Sequence, residues 1–242
     1  MAAAKALHGP AVPSDGCRID QIARRAVRAD ELHRERIPDL VIAKILVHHL
    51  LSDKQHEAKT VGRLALLDRD GVINVDRRDS VKSLDELVLI PGSAAAVARL
   101  NAAGIKVAVV TNQSVVGRGV IPPRQLEIIH DRLAEMLARE GARLDALFVC
   151  TDPPGAPSQR RKPRPGMLIE AMQRFRAPPH ETPMIGDTLS DLEAAHAAGC
   201  PRVLVRTGKG AATQAAGIPA ALLPVAVHAD LAAAVDALLA QT

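Results

Sequence analysis

The feature that most constrains this chain is a short apolar run that ends in two carboxylates. Leu64-Ala65-Leu66-Leu67 is followed at once by Asp68-Arg69-Asp70-Gly71. Four apolar residues closed by a glycine turn are too few for an ordinary helix and read as a buried strand. Side chains on extended backbone alternate faces, so Asp68 and Asp70 can point the same way. In open parallel sheets, ligands bind just beyond the carboxyl ends of the strands. An isolated Asp-x-Asp is as well explained by a strand running into an acidic turn, so its weight depends on the residues downstream.

Four more short apolar runs lie at residues 105–110, 147–150, 184–186 and 203–206. Helix signals separate them. Pro91-Gly92-Ser93 opens an Ala-rich helix that ends near Gly104, and Pro122-Pro123 opens a longer one through Arg139, closed by Gly141. Helices are also expected over residues 167–176 and 191–198, and Ala and Leu recur at helical spacing over 228–239. Strands alternating with helices imply βαβ units. The expected fold is therefore α/β, a parallel sheet with helices on both faces. Residues 74–89 form an exposed, charged segment directly after the first strand.

Residues 1–62 differ in texture. Ser14-Asp15 caps an expected helix over 19–27, and Pro38 stops it. A second helix is expected over 39–51, with Leu40, Ile42, Ala43, Leu46, Val47 and Leu50 on its apolar side. His33, His48, His49 and His56 lack the Cys or carboxylate spacing of a metal site. The expected organisation is a helical N-terminal extension, residues 1–62, and a main domain, residues 63–242. The extension reads as an appendage that docks on the main domain or on another copy, giving a monomer or a weak homo-oligomer through residues 1–62.

Composition excludes several classes. Phe148 and Phe175 are the only aromatics apart from histidine, in a chain without Trp or Tyr. Binding single-stranded nucleic acid by base stacking needs aromatic platforms, so no nucleic-acid partner is expected. The net charge of +4 is scattered and favours anionic small molecules instead. Cys17, Cys150 and Cys200 are far apart and odd in number, which suits a reducing compartment. The most apolar N-terminal stretch, residues 40–51, carries Lys44, His48 and His49 and is too short to span a bilayer. The expectation is a cytoplasmic protein with no membrane partner.

Polar residues recur at the predicted strand ends: Asp68 and Asp70, Thr111-Asn112, Arg161-Lys162 in a loop, and Gly186-Asp187. Each alone is an ordinary turn, cap or solvated charge. Together they make a phosphate-handling site. Two adjacent carboxylates repel unless a cation lies between them, and Mg2+ suits oxygen ligands. Asp187 can complete that site with Asp68 and a backbone carbonyl at Asp70. Asp68 can attack phosphorus and Asp70 can handle the leaving-group proton. Thr111 and Lys162 can hold and neutralise a phosphoryl group, and such transfer depends mainly on positioning and charge compensation.

These segments carry a resemblance. Asp68-Arg69-Asp70-Gly71-Val72-Ile73-Asn74, Thr111-Asn112-Gln113-Ser114, Arg161-Lys162-Pro163-Arg164-Pro165-Gly166-Met167 and Gly186-Asp187 resemble the four signature motifs of the haloacid dehalogenase superfamily. Within it they are similar to the branch of heptose-bisphosphate and histidinol-phosphate phosphatases, as is Val203-Leu204-Val205-Arg206-Thr207-Gly208-Lys209-Gly210. The resemblance covers residues 64–210. It implies a Rossmannoid three-layer sandwich without a large cap and a Mg2+-dependent phosphatase working through an aspartyl-phosphate. Its substrate would be a small phosphorylated sugar, a heptose 1,7-bisphosphate on the way to envelope polysaccharide. Histidinol phosphate or another small sugar phosphate is the alternative substrate, and a non-catalytic binding module the alternative class.

The resemblance also implies roles. Asp68 would be the nucleophile and Asp70 the acid and base; Thr111 and Lys162 would stabilise the phosphoryl group. Asp68, Asp70 and Asp187 would hold the metal. Asp76, Arg77, Arg78, Asp79, Asn112, Gln113, Ser114 and Arg161 would contact substrate. Three departures stand out. The structural zinc common in this branch lacks its ligands here, because Cys150 is followed by a short Pro-rich loop, so no zinc is expected. Asp79-Ser80-Val81 stands where the branch has Gly-Tyr-Val. Val115-Val116 replaces a Gly-containing pair, leaving the backbone there less permissive.

Overall fold

The computed structural model describes residues 63–156 and 158–241; the two helices expected at 19–27 and 39–51 lie outside them. Six strands form one sheet: β1 (Leu64–Leu67), β2 (Lys106–Asn112), β3 (Ala146–Cys150), β4 (Met184–Gly186), β5 (Arg202–Val205) and β6 (Val225–His228). The order is β3-β2-β1-β4-β5-β6, and every pairing is parallel. The sixth strand is an addition to the five that the apolar runs predict. Its run Val225-Ala226-Val227 is apolar, but it follows Pro224 and lies at the sheet edge, where its residues are half-buried or exposed.

Among the described residues, seven α-helices accompany the sheet: α1 (Ser93–Ala102), α2 (Ser114–Gly117), α3 (Pro123–Arg139), α4 (Gly166–Phe175), α5 (Leu189–Ala198), α6 (Gly210–Ala215) and α7 (Leu231–Leu239). The alternation within β1 divides the core. Ala65 and Leu67 pack with Leu100 of α1, Leu133 of α3 and Val235 of α7 on one face. Leu64 and Leu66 pack with Leu168 of α4 and Ala195 of α5 on the other. In α3 the buried positions are Leu126, Ile129, Leu133 and Leu137, one stripe at helical spacing. Each such side chain, fully buried, contributes about 1.5–3 kcal/mol from the area it removes from water. Among the described residues, no helix is long and apolar enough to cross a membrane.

The strand order decides where a ligand can sit. From β1 the chain passes to β2 and β3 on one side, then returns to place β4 on the other side of β1. The connections after β1 and β4 therefore diverge and leave a crevice at their carboxyl ends. Asp68 follows β1 and Asp187 follows β4. The Asp68 amide donates to the Ile185 carbonyl at 2.9 Å, locking the two strand ends together.

Candidate active site

The crevice floor is built from backbone turns before side chains enter. After β1 the chain turns sharply, with the Gly71 amide donating to Asn74 O at 2.7 Å and the Ile73 amide to Arg69 O at 2.9 Å. Gly71 takes φ 81°, a left-handed conformation that side chains disfavour. A Cβ there would also collide with the Asp187 carboxylate, as would one at Gly208. The Gly71 carbonyl accepts from Thr207 Oγ1 at 2.6 Å. The Lys209 amide donates to Asp187 Oδ2 at 2.7 Å, and Thr213 Oγ1 to the Asp187 carbonyl at 2.9 Å. The loop after β5 thus packs against Asp187 next to Gly71, with Gly208 and Gly71 close to the same carboxylate oxygen.

Asp68, Asp187 and Asp191 bring their carboxylates within 4.8 Å of one another, all buried. One ammonium answers them. Lys162 Nζ lies 2.9 Å from Asp68 Oδ1 and 2.6 Å from Asp191 Oδ1. Asp191 also caps α5, its Oδ2 accepting from the Thr188 amide at 3.0 Å and from the Thr188 hydroxyl at 2.6 Å. Both of its oxygens are therefore engaged, and it anchors the lysine. Lys162 is also fixed through its backbone: its carbonyl and amide pair with the Asn112 side chain at 3.0 and 3.1 Å. Burial, the excess of negative charge and the lysine set the protonation states. Burial and the charges of Asp191 and Asp70, opposed by Lys162, push the Asp68 carboxyl up to about 6. Burial and then Asp68 push Asp187 up to about 8. Lys162 would lose its proton through burial, but Asp191 and Asp68 hold it charged above its usual range.

Asp187 Oδ1 is buried and has no hydrogen-bond partner among the described residues. It faces a cluster carrying more negative than positive charge, and that is the situation a hard divalent cation resolves. The donor set fits Mg2+, with Asp187 and Asp68 as the carboxylates free to take it.

Asp70 enters the site differently from Asp68. Its carboxylate is not one of the three that converge. Oδ1 accepts from Arg69 Nη2 at 2.9 Å and from Asn74 Nδ2 at 2.8 Å. Oδ2 accepts from Arg69 Nη2 at 2.9 Å and from Gln113 Nε2 at 2.7 Å. Burial works against the charge of Asp70, but Arg69 and these hydrogen bonds outweigh it and hold the carboxyl below its ordinary range. With its carboxylate occupied, only the Asp70 backbone carbonyl is left for a metal.

The expected substrate contacts divide in the same way. Gln113 is fully buried and its amide bridges Asp70 and Thr111 Oγ1, the latter at 2.9 Å, so it supports the site from behind. Asn112 is turned toward Lys162. Ser114 opens α2 beside them and is half-buried. Asp76 pairs with Lys209 Nζ at 3.2 Å. Asp76, Arg77, Arg78 and Asp79 line one cavity of about 310 Å3 together with Val75 and Lys82. Arg161 donates to the Asp152 carbonyl at 2.9 Å and lines a second cavity, of about 330 Å3, with Asn112, Arg164 and Ser190. In the Pro-rich loop after β3, Cys150 Sγ meets Asp152 Oδ2 at 3.4 Å, and Ser158 Oγ accepts from the Arg160 and Arg161 amides at 3.2 and 3.3 Å.

Asp191, Arg69 and His130 belong to the site without being singled out by the sequence. A Gly-Asp turn followed four residues later by a second Asp, at a helix start, is the available signal for Asp191. Arg69 sits between the two key aspartates, where alternation points it to the other face. Nothing local marks His130.

Comparison with known proteins places this geometry. Residues 18–199 match the family described as haloacid dehalogenase-like hydrolase. The chain is 43% identical over 176 residues to the D-glycero-beta-D-manno-heptose-1,7-bisphosphate 7-phosphatase of Pseudomonas aeruginosa, covering 73% of this chain and 97% of that protein. The crystal structure of D,D-heptose 1,7-bisphosphate phosphatase from B. bronchiseptica, complexed with magnesium and phosphate, aligns with a TM-score of 0.71 at 41% identity, over 74% of this chain and 99% of that one. The corresponding phosphatase from Burkholderia thailandensis aligns with a TM-score of 0.58 at 41% identity, over 73% and 98%. With its family match spanning most of its length and its carboxylates gathered where the strand order opens a crevice, this chain belongs to the haloacid dehalogenase-like hydrolases.

Proposed function

We propose that this chain is a Mg2+-dependent phosphatase that removes the 7-phosphate of D-glycero-D-manno-heptose 1,7-bisphosphate through an aspartyl-phosphate on Asp68. The observation that carries the reading is the Bordetella enzyme, 41% identical and matched over 99% of its length. Here the same fold brings Asp68, Asp187 and Lys162 into one buried cluster. The Pseudomonas relative's name specifies the beta anomer, which favours that anomer here.

The chemistry follows from the residues. Asp68 attacks the phosphorus with one carboxylate oxygen, and the bond to the sugar oxygen breaks. Lys162, held by Asp191, offsets the charge gathering on the phosphoryl oxygens. The Thr111 hydroxyl, oriented by Gln113, contributes a hydrogen bond there. Bound by Asp68, Asp187 and the Asp70 carbonyl, Mg2+ supplies charge neutralisation of phosphate and carboxylates. Asp70 gives a proton to the departing sugar oxygen and then takes one from the water that attacks the aspartyl-phosphate. Its resting surroundings favour the carboxylate, so the proton it donates is one that the monoanionic phosphate ester brings in and passes to it on binding. The cavity at residues 76–79 and the one at Arg161 offer cationic walls for the phosphate that is not removed.

The remaining organisation is read in the same way. The site is open, without a large cap, within a three-layer phosphatase domain of residues 63–242. The chain is a monomer or a weak homo-oligomer that assembles through residues 1–62. The enzyme works in the cytoplasm, where the buried Cys150 and Cys200 stay reduced. Phosphate release with Mg2+ tests the substrate. Ranked by kcat/KM, the expected order places a heptose 1,7-bisphosphate anomer well above fructose 1,6-bisphosphate and histidinol phosphate. A preference for histidinol phosphate would keep the residues and overturn the substrate.

A further inference from the structure

Arg69 is a fully buried guanidinium at the centre of the site. Its Nη2 spans both Asp70 oxygens at 2.9 Å, and its Nε reaches Oδ1 at 3.3 Å. These contacts leave Nη1 pointing the other way, into the protein. There the side chain it meets among the described residues is His130, through Nε2 at 3.0 Å. His130 lies on α3, one residue after the buried Ile129 and 61 residues from Arg69. It belongs to none of the strand-end motifs. The other donors to Asp70, Asn74 and Gln113, come from the β1 turn and the end of β2.

We propose that His130 is a positioning residue for proton transfer, holding the Arg69 guanidinium flat against Asp70 by accepting a hydrogen bond from its far side. Arg69 cannot lose its proton, so Nη1 is a donor and Nε2 must be the acceptor. That assigns the proton of a neutral imidazole to Nδ1. The uncharged form is the one the surroundings demand: burial, then the Arg69 charge, pulls His130 down to about 3. A guanidinium fixed at one end only by the groups it serves could tilt and carry the carboxylate with it. Anchoring its other end to a packed helix removes that freedom, and general acid–base catalysis depends on such placement. The inference rests on the reading of Asp70 as the group that serves the leaving oxygen.

A histidine that merely satisfies a buried arginine would affect all substrates alike. A positioning residue for the leaving-group proton would not. The test is the first-turnover release of leaving group, measured by rapid quench with Mg2+ on the full chain. It compares heptose 1,7-bisphosphate, whose alkoxide needs a proton, with p-nitrophenyl phosphate, whose phenolate does not. The readout is the ratio of the two rates within each variant, which is independent of how much of that variant is folded. His130→Leu is expected to lower the alkyl-to-aryl ratio by about tenfold, a part of the ~10²–10⁴ that a placed acid contributes. His130→Gln, which keeps an acceptor, is expected to restore the ratio, and Asp70→Asn to lower it further. An unchanged ratio in His130→Leu, or no rescue by Gln, overturns the role of His130 while leaving that of Asp70 intact. An unchanged ratio in Asp70→Asn overturns the reading of Asp70 and the proposal with it.

Discussion

At the residue scale, the site is governed by the crowding of Asp68, Asp187 and Asp191 around one lysine. The raised carboxyls carry a consequence for stability. Asp68 and Asp187 rise from an ordinary 3.8 to about 6 and about 8. Between those limits these two groups bind more protons in the folded protein than in the unfolded chain. Their contribution to stability without metal therefore falls as pH rises from 4 to 8, while His130, held neutral in the fold, works against it up to its ordinary 6.5. A divalent cation needs the carboxylates deprotonated, so it recovers this loss and binds more tightly as pH rises. The thermal shift given by a fixed Mg2+ concentration is expected to be several degrees larger at pH 8 than at pH 6. Calorimetry at both values checks it, and an equal or smaller shift at pH 8 would contradict the assignment. Asp68, Lys162 and Asp187 are legible in the sequence because each ends a recognisable strand or motif. Asp191, Gln113 and His130 are not legible in their actual roles, because their work consists of contacts to side chains far along the chain, at Lys162, Asp70 and Arg69. Spacing carries no signal for such contacts.

At the element scale, the strand ends position the chemistry and the glycines permit it. Gly71 and Gly208 pack against each other and against the same Asp187 oxygen, which leaves no room for a side chain at either. Gly208 has φ 57°, so an added Cβ is disfavoured by backbone and by space together. Gly208→Ala is expected to displace the Asp187 carboxylate, weakening Mg2+ binding tenfold or more and costing roughly 1–3 kcal/mol of stability. Titration calorimetry with Mg2+ and thermal unfolding measure the two effects; wild-type affinity in a folded variant would contradict the packing described. The inner strands and the longer helices are legible because apolar runs and helical spacing are local properties. β6 is not, since an edge strand of Val225-Ala226-Val227-His228 is held by pairing with β5, which the sequence does not display. The short helices α2 and α6 escape for a similar reason. They close loops over the site and have no apolar stripe of their own.

At the scale of the whole molecule, the strand order β3-β2-β1-β4-β5-β6 is what makes two distant aspartates neighbours. Asp68 and Asp187 are separated by three strands and four α-helices in sequence and meet because β1 and β4 are adjacent. Alternating strands and helices predicted a parallel sheet, and the motifs predicted which ends would meet. The most direct test of the account is to look for the phosphoryl group on the protein. Acid quench of a pre-steady-state mixture of enzyme, Mg2+ and heptose 1,7-bisphosphate, followed by peptide mass spectrometry, is expected to place phosphate on Asp68. Asp68→Asn is expected to lose both the adduct and turnover by several orders of magnitude. Full turnover without protein-bound phosphate, or an active Asp68→Asn enzyme, would contradict the account.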